Sequence, residues 1–217
     1  VTTVPFVDWA SSGFVFENKY ELNSLVNVLK LSTAYYAATD DVDCFKSSPR
    51  WLASTTAIVD TIVTQQASTS EDFDSASYTF SRTTTVASDT LINTGHGHPA
   101  KRCGLSKSYF RASDDAVDLP FNIADNAYAS VQLKATAPLL SALGQPTLAA
   151  KAKRLGEEID DAIKSHGTRT GNTDNTSYFL YEVDGYGNGV FMDDANIPSL
   201  LSLPYLGYVN VGETGGR

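Results

Sequence analysis

The sequence predicts a mostly helical array with short β hairpins, and three observations carry that reading. Four segments repeat apolar residues at three- and four-residue intervals, the period of a helix with one buried side. Strand-like stretches are scarce outside residues 178–192. Long polar loops, instead of further strands, join the helices in pairs, which is the pattern of an all-α domain. No internal repeat is visible.

In order, Leu22, Leu25, Val26, Leu29 and Tyr36 recur at helical spacing, so residues 19 to about 38 form an amphipathic helix that Asp40 and Asp41 end. Ser48-Pro49 supplies a cap and a proline at the first helical position. Trp51, Leu52, Thr55, Ile58, Val59, Ile62 and Val63 mark the next helix, to about residue 66. Tyr35, Tyr36 and Trp51 are read as core packing. Residues 67–119 are polar and irregular, with a short strand expected at 77–82. Loops of that length tend to be functional or disordered, and this one holds Arg82, Asp89, His96, His98 and the acidic Ser113-Asp114-Asp115 run. A third helix is expected from about 124 to 143, with Pro138 kinking or ending it, and a fourth over 146–165. Leu148, Ala152, Leu155, Ile159 and Ile163 line one face of the fourth, Glu157, Glu158, Asp160 and Asp161 its solvated side, and Gly167 its C-terminal cap.

The stretch at 181–206, YEVDGYGNGVFMDDANIPSLLSLPYL, gathers acidic residues about glycine-spaced turns. Glu182 and Asp184 share one face of an extended segment, with Tyr181 and Val183 on the other. Gly185, Gly187 and Gly189 break regular structure. Asn196, Pro198 and Ser199 open a short helix carrying Leu200, Leu201 and Leu203.

Composition excludes some functions. A chain of 217 residues, 42% hydrophobic and 11% aromatic, builds a sizeable core in one or two domains. Its net charge of −9 argues against nucleic acid or an anionic membrane surface as a partner. No apolar run approaches the roughly 20 residues needed to span a bilayer. Cys44 and Cys103 fit either one bridge or two free thiols. Asn175-Thr176-Ser177 is a glycosylation sequon, and with it comes the expectation of an extracellular or secretory-pathway protein. Val1 opens the chain without a methionine or signal segment, and Gly215-Gly216-Arg217 closes it without a terminal element, so processing or truncation is expected.

Several chemistries fail on spacing. Residues 184–195 place Tyr186 and Ala195 where a calcium loop requires ligands. Gly95-His96-Gly97 lacks the third glycine of a dinucleotide loop, His96, His98 and Cys103 match no closed zinc pattern, and no GxSxG elbow occurs. Carboxylate chemistry remains. Glycosidic cleavage needs one carboxylic acid to protonate the leaving oxygen and a second carboxylate to activate water or attack carbon. In YFRASDDA, Asp114 and Asp115 follow Arg111 by three and four residues, at the expected approach to a helix. They are candidates for the acid, the alternative being that they merely cap a turn. Glu182, Asp184, Asp193, Asp194 and Asn196 are candidates for a wall that reads sugar hydroxyls, or for residues that tie loops to helix starts.

EVDGYGN with MDDANIPSLLSLPYLGY, FENKYELNSL at 16–25, DTLINTGHG at 89–97 and YFRASDDA at 109–116 together resemble glycoside hydrolase family 125, the exo-acting α-1,6-mannosidases, in the same order along nearly the whole chain. The resemblance implies an (α/α)6 barrel and an inverting, metal-independent hydrolase without cofactor, acting on a mannose-containing oligosaccharide or N-glycan. It implies that Asp114 or Asp115 is the general acid. KYELNSL resembles the family's WERKYELDSL, which implies that Glu17, Lys19, Tyr20 and Glu21 lie near the sugar-binding end, with Arg111. The chain departs at Phe16, at Asn18, at Ala112 in place of a proline, and at Asp125 in IADNAYA, where the family reads IPxNxxA. The family's upstream LRD segment and its C-terminal HES segment, which holds the general base, do not occur. Residues 1–217 are therefore expected to be part of a single catalytic domain that needs its remainder as partner. Competing readings are another (α/α)6 glycosidase acting on glucosides or rhamnosides, and a non-catalytic carbohydrate-binding protein.

Overall fold

The computed structural model describes residues 18–73, 77–171 and 176–210. Glu17 and the sequon asparagine Asn175 lie outside the described residues. The four expected helices form, as α1 (Leu22–Thr39), α3 (Pro49–Thr64), α5 (Ile123–Ala142) and α6 (Pro146–His166), with short α2 (Asp43–Lys46) and α4 (Thr69–Asp72) between them.

α1 starts later than its apolar period suggests, because the residues before it are claimed elsewhere. The Leu22 amide donates to Ser108 Oγ at 3.0 Å and the Tyr20 amide to Tyr78 OH at 3.0 Å, while the Tyr20 carbonyl accepts from Tyr109 and Phe110. Residues 18–21 are thus stitched to the 108–110 segment, and the helix begins beyond them. It ends at Asp40, whose backbone is left-handed and whose amide returns to the Tyr36 carbonyl. α2, too short for a periodicity to reveal, seats Phe45 against Trp51, ring centroids 4.8 Å apart, and the Trp51 indole donates to Ser32 Oγ. Trp51 and Tyr36 are partly buried as expected of packing residues, whereas Tyr35 sits at the exposed rim.

α5 is buried on nearly every side, and Asn122 caps it by accepting from the Asp125 amide at 2.9 Å. Pro138 lies inside the helix on its exposed face and does not end it. There solvent can serve the carbonyl that a proline leaves without a donor. The short link at 143–145 folds α6 back on α5, burying Ala152, Leu155, Ile159 and Ile163. α1 packs on α5 and α3, and α3 on α6, so one apolar core runs between the four long helices. Gly167 follows α6, its amide bonded to Ile163, in a right-handed conformation and not the left-handed one usual for a glycine cap.

The strands are short. β1 (Phe121–Asn122), β4 (Glu182–Val183) and β5 (Gly189–Val190) form an antiparallel sheet in the order β1-β4-β5; β2 (Thr168–Thr170) pairs with β3 (Ser177–Phe179). The strand expected at 77–82 is absent: that segment has no ladder partner and is held by single bonds, Phe80 amide to Gly95 carbonyl and Arg82 amide to Thr90 Oγ1. Both faces of the 181–184 segment are buried.

α5 and α6 are in close contact at Gly156, where a Cβ would stand 2.9 Å from Ser130 O and 2.9 Å from Lys134 Cγ. The Gly156 carbonyl accepts from Ser130 Oγ at 2.8 Å. Alanine is the better helix former by about 1 kcal/mol. Overpacking at this contact costs about 1–3 kcal/mol and outweighs that gain. Gly156→Ala is expected to lower the urea midpoint of the protein; an unchanged or raised midpoint would show that the two helices can part without penalty.

Candidate active site

The segment 105–111 is buried throughout, and its amides are satisfied by a different part of the chain at almost every residue. Ser106 donates to Asn126 Oδ1, Lys107 to the Gln65 carbonyl, Ser108 to the Pro120 carbonyl, and Tyr109 and Phe110 to the Tyr20 carbonyl. The chain then turns sharply. Phe110 bridges Ala116, the Arg111 amide donates to the Asp115 carbonyl at 2.8 Å, and the Asp114 amide donates back to the Arg111 carbonyl at 2.8 Å. Asp114 and Asp115 therefore sit at the tip of a tight hairpin and not at the approach to a helix; α5 starts only at Ile123. Asp114 has φ 73°, the left-handed region that aspartate tolerates better than most residues.

One foot of the hairpin is a buried ion pair. Arg111 Nε donates to Glu182 Oε1 at 2.7 Å and Nη2 to Glu182 Oε2 at 3.2 Å, while Nη2 also reaches Asp118 Oδ2 at 2.9 Å. Glu182, fully buried on β4, accepts in addition from the amides of Asp118 and Leu119. The other foot is Lys19, whose ammonium reaches Asp89 Oδ1 and both the carbonyl and the carboxylate of Asp114. Asp89 is bound in turn by the Arg82 guanidinium. A cleft of about 290 Å³ runs beside the hairpin, lined by Ser88, Leu91, His98, Tyr109, Arg111 and Asp118 among others.

The remaining expected residues divide by what their side chains hold. Asp193 caps the 3-10 turn Leu200–Ser202, accepting from the amides of Leu200 at 2.8 Å and Leu201 at 3.0 Å. Asp184 closes its own glycine turn by accepting from the amides of Tyr186 and Asn188 and from the Asn188 side chain. Only glycine fits at Gly185, with φ 78° and a Cβ position 2.3 Å from the Lys101 carbonyl oxygen. Asp194 accepts from the amide and side chain of Asn196. Burial pulls its carboxyl upward, but the nearby Ser113 hydroxyl, the hydrogen bonds from Asn196 and the charge of Arg111 hold it below the usual range, which puts it beside the hairpin. Glu21 stands ahead of α1 and accepts from Ser24 Oγ. Tyr20 stacks into a trio with Tyr78 and Tyr109, ring centroids 5.7 and 5.9 Å away. Burial, then Tyr109 and Asp125, push its hydroxyl well above the ordinary phenol range. The two cysteines are free thiols, Cys44 exposed on α2 and Cys103 half-buried near Asp184, so the bridge alternative is not realised.

Sequence reasoning gave no site role to Asp89, Arg82, Asp118 or Asp125. Asp89 meets Lys19 across 70 residues of chain, a pairing without any local signal. Asp125 was visible only as a departure from a pattern. Its side chain is buried in the first turn of α5 with Oδ2 lacking a hydrogen-bond partner. Burial, reinforced by the charges of Glu21 and Glu182 and opposed by Ser108, pushes its carboxyl up to about 8.

A helical array of this kind, carrying its polar site on a long inter-helical loop, is of the (α/α)6 barrel class. The chain belongs to the metal-independent alpha-mannosidase family GH125, whose family profile matches residues 2–214. It is 41% identical over 206 residues to the meiotically up-regulated gene 157 protein of Schizosaccharomyces pombe, an alignment covering 90% of this chain and 39% of that protein. A Streptococcus pneumoniae structure, described as one of a widely distributed family of metal-independent alpha mannosidases in a non-productive complex with alpha-1,6-mannobiose, superposes with a TM-score of 0.82 at 35% identity. That match covers 91% of this chain and 45% of the bacterial one, so the chain spans under half the length of either relative.

The raised Asp125 carboxyl links stability to pH. The folded protein keeps a proton that the unfolded chain, with an ordinary carboxyl near 4, has released, so its stabilising effect is complete below about pH 4 and lost as pH rises to about 8. The slope from this group reaches at most about 1.4 kcal/mol per pH unit. Asp125→Asn is expected to flatten the fall in Tm between pH 4 and 8; an unaltered profile would mean that Asp125 is ionised in the folded state.

Proposed function

We propose that the chain is part of a glycoside hydrolase that removes terminal α-1,6-linked mannose from glycans, with inversion and with Asp115 as general acid. The observation that carries the assignment is the unequal commitment of the two hairpin carboxylates. Asp114 spends both its carbonyl and its carboxylate on Lys19. Asp115 spends its carbonyl on the Arg111 amide, and no donor among the described residues reaches its carboxyl group. Asp115 is thus the one available to a leaving oxygen. Family membership and the mannobiose bound by the Streptococcus pneumoniae relative support the mannose substrate. In this reading Lys19, Tyr20, Glu21 and Arg111 lie near the sugar-binding end. Glu182, Asp184 and Asp193 frame its wall through their bonds to the protein, and Asp194 and Asn196 are the wall's more open polar groups. The secretory location expected from the Asn175 sequon belongs to the same proposal.

An inverting site sets its base about 6.5–9.5 Å from the acid, with room for water between. The proposal places that base, with the remaining barrel helices, in parts of the protein beyond this chain. Two apolar faces support such a partner. On α1, Val28, Leu31 and Tyr35 form an exposed stripe at helical spacing, and beyond β5 Phe191, Ile197 and Leu201 are exposed, Leu201 by 88%. Soluble proteins rarely leave such surfaces uncovered.

Asp115→Asn in the complete protein is expected to cost about 10²–10⁴-fold on α-1,6-mannobiose and much less on an aryl α-mannoside with a good leaving group, which needs little protonation. Equal losses on the two substrates would remove Asp115 from the role, and release of α-mannose in proton NMR would refute inversion. Expressed alone, the 217-residue chain is expected to aggregate or to bind without turnover; turnover comparable to that of the complete protein would place the base within these residues.

A further inference from the structure

We infer that Lys19 and Asp89 are positioning residues that lock the tip of the acid hairpin, Lys19 acting on the Asp115 carboxyl group through Asp114 instead of through the sugar. The inference rests on the assignment of Asp115 as the acid.

The geometry is specific. Lys19 belongs to residues 18–21, which are held extended against the 108–110 segment by the Tyr20 and Leu22 bonds, so its backbone is fixed beside the hairpin. Its side chain is 4% exposed, and its ammonium lies 4.9 Å from the centre of the Phe110 ring, at the base of the same hairpin. Among the described residues three oxygens lie around the ammonium: Asp89 Oδ1 at 2.9 Å, Asp114 O at 2.9 Å and Asp114 Oδ2 at 3.0 Å. A compact ammonium donates in three directions, and here two of the three oxygens belong to the residue at the hairpin tip.

That residue needs holding. Asp114 is in the left-handed region, which a residue other than glycine seldom enters without support. Its amide and carbonyl are both tied, to Arg111 and to Lys19, so the peptide leading into Asp115 cannot turn over without breaking the Lys19 contact. Asp89 aims the ammonium. It is itself gripped by Arg82 through both its carboxylate and its carbonyl, and its Oδ2 lies 3.4 Å from Thr84 Oγ1. The order Arg82, Asp89, Lys19, Asp114 is a chain of alternating charge that ends one residue before the acid. Since a displacement of about 1 Å at a reacting group costs on the order of 10²-fold, loosening any link lowers acid catalysis while leaving the sugar contacts in place.

The test compares Lys19→Met, Lys19→Arg and Asp89→Asn in the complete protein on α-1,6-mannobiose and on an aryl α-mannoside with a good leaving group. The expected result is a fall in kcat of about 10–100-fold on mannobiose, with KM changed less than about twofold, little effect on the aryl substrate, and partial recovery in Lys19→Arg. A rise in KM with kcat preserved, or equal losses on both substrates, would overturn the inference and make Lys19 a sugar ligand. Asp114→Gly, which adopts the same backbone without strain, provides a second route should Lys19→Met fail to fold. Because Lys19 and Asp89 act through Asp114, adding Asp89→Asn to Asp114→Gly is expected to lose less than the product of the single effects; strictly multiplicative losses would overturn it. Absence of turnover by the unmutated protein would instead defeat the mannosidase reading. Turnover with the leaving-group signature in Asp115→Asn but not in Lys19→Met would defeat this inference alone.

Discussion

The buried pair between Arg111 and Glu182 is the contact on which the polar half of this molecule depends. Taking both charges out of water costs several kcal/mol, and the loss is offset only when every oxygen and N–H finds a partner. Here the carboxylate meets that demand: two guanidinium bonds and two backbone amides converge on it, and Asp118 takes a further guanidinium hydrogen. The pair joins the hairpin at 110–116 to β4, and β4 joins β1, the strand that runs straight into α5. A loop residue is thereby referred to the most buried helix in the structure through a short series of rigid contacts.

Two other cations extend the same design along a single buried segment. Lys107, 4% exposed, pairs with Asp72 at the end of α4, and Lys19 reaches the hairpin tip from the residues before α1. Segment 105–111 is therefore fastened by charge at Lys107, Arg111 and the adjoining tip, and by amide bonds to Gln65 at the end of α3, to α5 and to residue 20 in between. Apolar packing makes the helices; it does not specify where an irregular loop lies. Directional bonds to buried charges do, because each has one geometry that leaves nothing unsatisfied.

This division explains what could be read from the sequence. Leu22, Val26 and Leu29 in α1, or Ala152, Leu155, Ile159 and Ile163 in α6, announce themselves by period, since a helix repeats its buried face within a few residues. The Tyr109–Ala116 string and the 181–206 stretch were legible as chemistry because acidic and glycine residues cluster there. The partners were not. Lys19 and Asp89 are 70 residues apart, and Arg111 and Glu182 are 71 apart, so neither pairing leaves a local trace. The start of α1 was missed for the same reason: a helix-competent segment was taken into bonds with Ser108, Tyr78 and the 109–110 amides. Residues 77–82 failed as a strand because a strand needs a neighbour, and this segment's amides go to Gly95 and Thr90 singly.

The acidic stretch at 181–206 shows how residue type constrains chemistry without assigning roles. Glu182, Asp184 and Asp193 look alike on paper, yet the first balances a buried guanidinium, the second closes a turn that only Gly185 can complete, and the third caps a single helical turn. All three are acceptors of several N–H bonds, which is what a carboxylate does best when it is not exposed. A proton donor needs the opposite circumstance: a firm backbone beneath a carboxyl group that the protein has left uncommitted. In the proposed assignment Asp115 has that setting, with its carbonyl held at 2.8 Å by the Arg111 amide and the neighbouring Asp114 bound to Lys19. A hairpin with buried charged feet, one of which reaches the tip through Asp114, holds the backbone of a loop as firmly as a helix would.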